Sequence, residues 1–153
     1  MSEYVAIIEW NREGGDFAAN TYSRGHTWSF DGGLVVPASS APDVVPVPQS
    51  IAENVDPEEA FIASLSSCHM LWFLAIAGKS GYIVDDYRDE ASGIMAKKEN
   101  GKLAITEVSL KPKTSFSGDK IPDREQLEKL HEKAHRNCFI ANSVNSEIKI
   151  ILD

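Results

Sequence analysis

The sequence predicts an α+β fold, with strands, a helix, more strands, a second helix and a closing strand in that order. Three observations carry this. A long apolar stretch follows a helix-start signal at Asp56, an alternating β-branched region with an Asn100-Gly101 turn comes next, and an amphipathic charged run precedes the last apolar segment. With 153 residues the chain fits a single domain spanning 1–153, or at most one intimate unit with two subregions.

Taken in order, Tyr4-Val-Ala-Ile-Ile-Glu-Trp10 is apolar and β-branched enough for a strand. Residues 11–15 supply turn chemistry, residues 17–30 read as further strand, and Asp31-Gly-Gly33 ends it. Residues 37–49 hold four of the seven prolines, Pro37, Pro42, Pro46 and Pro48. Proline fixes φ and donates nothing to a ladder, so this stretch is expected to be an extended crossing loop. Val44, Val45 and Val47 call for cover there, which argues against a flexible linker.

Asp56 suits an N-cap, Pro57 the first helical position, and Glu59 completes a capping box. The helix then runs to Lys79-Ser80-Gly81 and carries no Asp, Glu, Lys or Arg between Ala60 and Ala77. A helix apolar nearly all round must be buried on several sides, and in so small a chain that favours a second subunit. Residues 82–110 read as a meander. Residues 89–97 form one strand, and residues 103–116 form a longer one bent or ended by Pro112. Residues 123–135 are an amphipathic helix, residues 138–144 a short connector and residues 147–152 the closing strand.

Composition narrows the function classes. Hydrophobic residues at 42% and charged residues at 25% exclude a disordered tail and a disulfide-dense miniprotein. The net charge of −8 disfavours nucleic acid and anionic membrane surfaces alike, since both reward clustered Lys and Arg. Met70 to Ala77, the longest apolar run, falls far short of the roughly 20 residues that span a bilayer. The N-terminal residues lack a basic and an apolar signal region, so the expected compartment is the cytoplasm. In a reducing cytosol, Cys68 and Cys138 are either two inert thiols or a working redox couple.

Cys68 sits in the middle of the apolar helix, where a cysteine commonly serves as a small core hydrophobe. To act as a nucleophile it must be a thiolate, and His69, the only basic neighbour, points to another face of the helix. The activating charge must therefore come from elsewhere in the fold. Cys138 follows the second helix, either as a packing residue or as an accessible thiol able to resolve a sulfenic acid on Cys68. His131-Glu-Lys-Ala-His135 matches the H-E-x-x-H zinc signature, yet no third histidine follows, and a polar helix face explains it equally. Glu58 is not used by the capping box and is free to anchor a cation. Arg24 and His26 lie in a polar stretch that surface solvation would also explain.

Taken together, Asp56-Pro-Glu-Glu-Ala-Phe-Ile-Ala-Ser-Leu-Ser-Ser-Cys-His69, Lys133-Ala-His-Arg-Asn-Cys138 and the Asp31-Gly-Gly loop resemble the OsmC/Ohr family of thiol-dependent hydroperoxide reductases, over nearly the whole chain. The resemblance implies an intertwined homodimer with curved antiparallel sheets around a long buried central helix and active sites at the subunit interface. It also implies that Cys68 is the peroxidatic thiol, Cys138 the resolving thiol and Glu58 the carboxylate that holds an arginine against the thiolate. Glu58 and Cys68 are roughly 15 Å apart along one helix, so the carboxylate serving Cys68 is expected from the other subunit. The family's arginine precedes the Asp-Gly turn by about five residues, a position that falls here on His26. Arg24 is assigned because a permanent cation suits a thiolate and a bulge can absorb the offset, with His26 as the competing residue.

The expected activity is reduction of organic hydroperoxides, alkyl or lipid, to alcohols through a Cys68 sulfenic acid and a Cys68–Cys138 disulfide. An external dithiol, of lipoyl type by the resemblance, regenerates the pair, and no metal, haem or flavin is required. Phe61, Leu65, Trp72 and Phe73 would line an apolar pocket for the organic tail. Two rival readings stay open: a non-catalytic member of this fold that binds a hydrophobic or thiol-bearing small molecule, and a zinc hydrolase built on His131 and His135.

Overall fold

The computed structural model describes residues 1–153 and falls into two compact units, residues 1–60 and 61–153. In the first unit, β1 (Ala6–Glu9), β2 (His26–Phe30) and β3 (Val35–Ala38) form an antiparallel sheet in that order. Ala6 pairs with Phe30 and His26 with Ala38. Strand character begins only at His26, not at Phe17, because residues 17–20 make a turn that closes on Asn20, a non-glycine residue with φ of 63°. Gly15 adopts φ of 75°, and a Cβ there would stand 2.7 Å from the Thr21 carbonyl oxygen, so only glycine fits. The proline-rich crossing is pinned at its ends: Ser39 N–H donates to Val55 and Arg24 N–H to Gln49. Its valines are not all covered, since Val44 and Val47 are exposed within the chain and Val45 is half-buried.

α1 (Pro57–Lys79) starts as the local chemistry dictates. Glu59 N–H donates to Asp56 Oδ1 at 2.8 Å, and the Glu59 carboxylate accepts from Asp56 N–H. In the second unit α1 buries one stripe, Leu65, His69, Phe73 and Ala77, each four residues after the last and so on a single face. The remaining faces stay largely open, and Leu71 is 60% exposed. The expectation that no apolar stretch reaches spanning length is corrected here. The 23 residues of α1 reach a mean hydropathy of 1.7 over 18 residues, because Ser64, Ser66, Ser67 and Cys68 interrupt the run without adding charge. Its packing is that of a core helix: Phe73 and Ala77 join Tyr82, Leu130 and Ala134, and Leu65 joins Val108 and Leu110.

β4 (Ile83–Asp89) pairs with β7 (Pro112–Ser117), and β5 (Ser92–Lys97) with β6 (Leu103–Leu110). The strand anticipated over 89–97 thus begins only at Ser92, with β4 a separate strand before it, and the one anticipated over 103–116 is divided, with Pro112 opening β7 opposite Asp89. Gly93 on β5 lets α1 approach, because a Cβ there would meet Ile62 Cδ1 at 2.7 Å. β8 (Glu147–Ile150) joins β6 in parallel, the one parallel pair among antiparallel neighbours. α2 (Arg124–Asn137) has Asp123 as its N-cap, with Gln126 completing a capping box. It ends on Cys138, and a short 3-10 turn at Ala141–Ser143 leads to β8.

Candidate active site

The second unit brings two thiols together that stand 70 residues apart in the chain. Cys68 lies half-buried in the middle of α1. Cys138 is 1% exposed at the C-cap of α2, and its thiol lies close enough to Cys68 for the two side chains to interact. Both are free thiols. Burial pushes the Cys138 thiol up to about 11, and the adjacent Cys68 pushes in the same direction. The Ala141 N–H, 3.4 Å from Cys138 Sγ, pulls against that rise by donating to sulfur. Cys138 is therefore a neutral thiol near neutral pH. Trp72 of α1 meets Phe139 edge-on at 5.4 Å, giving this thiol pair an aromatic flank.

His69 follows Cys68 and turns inward, as expected from its different face. Its partner was not anticipated: His69 Nε2 lies 3.0 Å from His131 Nδ1, and both residues are buried. The rings are parallel within 1° with centroids 5.3 Å apart, the geometry of an edge-to-edge hydrogen bond lying in the ring planes. Reading 131–135 as a polar helix face is corrected for His131, which is 2% exposed and stacks on Phe73 at 4.2 Å. Burial lowers His69 to about 4 and His131 to about 3. The remaining nitrogens, His69 Nδ1 and His131 Nε2, have no partner. The zinc signature is not arranged as such, because His131 commits Nδ1 to His69 while Glu132 faces out toward Arg136. No three His, Cys, Asp or Glu side chains converge on one metal-sized point.

The other expected residues lie in the first unit. Arg24 is half-buried, stacks over the Tyr22 ring at 3.6 Å and donates to Asn20 Oδ1 at 2.6 Å and to the Tyr22 carbonyl. No carboxylate pairs with it. His26 has both nitrogens in use: Nδ1 donates to the Arg24 carbonyl at 2.7 Å, and Nε2 accepts from Trp28 Nε1 at 3.0 Å. Both hydrogen bonds tie the His26 ring to its own strand and to the turn before it. Glu58 is half-buried without a hydrogen bond or ion pair, since Asp56 and Glu59 do the capping. A cleft of about 520 Å³ runs along this unit, lined by Ile8, Trp10, Phe17, Tyr22, Arg24, His26 and Pro57. Its walls are mostly hydrocarbon and aromatic ring, with one guanidinium.

The model of the OsmC-like protein family matches residues 51–153. No curated protein matches the sequence. A solved OsmC-like protein of unknown function from Vibrio cholerae is 54% identical, covers 100% of both chains and superposes with a TM-score of 0.98. The organic hydroperoxide resistance protein OhrB of Bacillus subtilis is 23% identical over 98% of each chain, with a TM-score of 0.68. An organic hydroperoxide resistance protein, OsmC, from Legionella pneumophila is 15% identical over 100% of this chain and 99% of its own, with a TM-score of 0.67. The last two likenesses concern the fold. With its helix-borne cysteine, its second cysteine beside it and a family match over two thirds of its length, the chain belongs to the OsmC-like family.

Proposed function

We propose that the protein is a cysteine-based peroxidase that reduces organic hydroperoxides to alcohols. The observation that carries this reading is the meeting of Cys68 and Cys138 across 70 residues. The Cys68 thiolate attacks the terminal oxygen of R–O–OH, and the O–O bond breaks. The alkoxide leaves and takes up a proton as ROH, while Cys68 becomes a sulfenic acid. The Cys138 sulfur then attacks the Cys68 sulfur. The S–S bond forms, the S–OH bond breaks, and hydroxide leaves with the Cys138 proton as water. An external dithiol, of lipoyl type, restores both thiols by exchange and is itself oxidised to a disulfide.

Arg24 is the cation assigned to hold Cys68 ionised, and Glu58 the carboxylate assigned to orient it. Ten residues of one helix put Glu58 roughly 15 Å from Cys68, so a second copy of the chain is the source of the carboxylate. Homodimerisation is supported by the apolar faces of α1 and the β1–β3 sheet, where Leu71, Ile7, Ile8 and Val35 are each more than half exposed. The medium is cytoplasmic in this reading, because a reducing pool keeps the couple ready.

The test is to mix reduced protein with cumene hydroperoxide and weigh it. Loss of two hydrogens, abolished by Cys68→Ser or by Cys138→Ser, is the expected result. Retention of both thiols under excess oxidant overturns the reading. Equal peroxide consumption by wild type and Cys68→Ser would favour the non-catalytic binding member instead.

A further inference from the structure

We infer that the buried His69–His131 hydrogen bond is a positioning device that holds the two cysteines in register for disulfide closure. The inference rests on the reading of Cys68 and Cys138 as a redox couple. Its footing is where the two histidines stand. His69 is the residue after Cys68 on α1, and His131 stands seven residues before Cys138 on α2, two helical turns up the same face. Fixing one ring against the other therefore fixes the rotation and the axial position of the helix end that carries Cys138.

No other side-chain hydrogen bond and no ion pair joins α1 to α2. Beside the Phe73–His131 ring stack, the rest of their shared packing is apolar, through Phe73, Ala77, Leu130 and Ala134. Apolar packing holds helices together without dictating one rotation, whereas an in-plane N–H···N bond has a single favourable direction. Cys138 itself is held only by bonds to its own stretch of chain: its N–H reaches the His135 carbonyl at 3.3 Å, its carbonyl accepts from Asn142 N–H at 3.0 Å, and its sulfur receives the Ala141 N–H at 3.4 Å. Disulfide geometry is narrow, with Cα atoms within about 7 Å and a dihedral near 90°, so a small slip of α2 misaligns the sulfurs.

The arrangement also has a cost that stability alone does not explain. Two buried imidazoles make one bond between them and leave His69 Nδ1 and His131 Nε2 unpartnered. Two aliphatic side chains of similar volume would fill the space without orphaned nitrogens. What they would lose is direction. The bond also fixes the tautomers as a complementary pair, with one ring donating its proton and the other accepting it.

The experiment measures the thiol pair without peroxide. Wild type and variants are equilibrated in glutathione buffers, in which the protein disulfide plus two glutathiones gives the dithiol plus one glutathione disulfide. The double variant His69→Leu, His131→Leu keeps the volume and removes the bond. It is expected to fold and to lose about tenfold in effective thiol concentration, which is about 30 mV for a two-electron couple. His131→Asn, whose amide takes the place of Nδ1, is expected to return within about twofold of wild type. Leu130→Val loosens the same helix without touching the bond and is expected to lower Tm but leave the potential alone.

A folded double variant with the wild-type potential overturns the inference, and so does a Leu130→Val variant whose potential shifts equally. A wild type that forms the disulfide in glutathione but never reduces cumene hydroperoxide sinks the peroxidase reading while leaving the positioning role testable. A wild type that no disulfide reagent can oxidise sinks both.

Discussion

Acidification should unfold this protein through its buried histidine pair. In the unfolded chain each ring titrates near 6.5, whereas in the folded chain burial holds His69 at about 4 and His131 at about 3. A histidine lowered on folding contributes its stability in full above the unfolded value and loses it as pH falls toward the folded one. The loss therefore begins below about pH 6.5 and continues through 4. At pH 5 the unfolded rings are almost fully protonated and the folded ones almost fully neutral, which costs about 2 kcal/mol for each histidine, or about 4 kcal/mol for the pair. That is a large share of the roughly 5–15 kcal/mol that ordinarily holds a domain together. Urea denaturation followed by tryptophan fluorescence at pH 8 and pH 5 measures it. Carboxylates also titrate in this range, so the decisive quantity is the difference from the double variant His69→Leu, His131→Leu. That variant should lose about 4 kcal/mol less than wild type between the two pH values. An identical pH dependence in both proteins would refute the argument that burial keeps these rings neutral.

Three other outcomes follow from the geometry. Disulfide closure after sulfenic acid formation should accelerate about tenfold per pH unit from neutrality, because Cys138 ionises only near 11. Stopped-flow fluorescence of Trp72, which packs on Phe139, would follow it, and a flat profile between pH 7 and 9 would exclude the thiolate route. Leu65→Ala empties a site against Val108 and Leu110 where the side chain is 1% exposed, and should cost about 2–5 kcal/mol in urea unfolding. Asp56→Ala removes the acceptor for Glu59 N–H at the start of α1 and should cost about 1 kcal/mol, seen as a fall in Tm with no change in free-thiol reactivity.

Wherever a few neighbouring residues carry the instruction, the chain is legible without its structure. Asp56, Pro57 and Glu59 announce the start of α1, because capping is chemistry within one turn. The Asn100-Gly101 turn and the break at Pro112 are local in the same sense. Two cysteines at this spacing can be nominated from the family pattern, and the assignment to that family holds.

Long-range packing decides what remains. Nothing near Cys138 in sequence specifies that Cys68 lies beside it, since that adjacency follows from how α2 lies on α1. His131 illustrates the limit most directly. A histidine on a charged helix reads as a surface residue or a metal ligand until it is known which face the helix presents, and here that face is set by Phe73 and His69, some 60 residues away. The parallel pairing of β8 with β6 is equally invisible locally, because alternation marks a strand but carries no direction. Short-range chemistry thus chose the elements of this protein, while their approach to one another was settled by burial, a cooperative property of the folded chain that no single segment encodes.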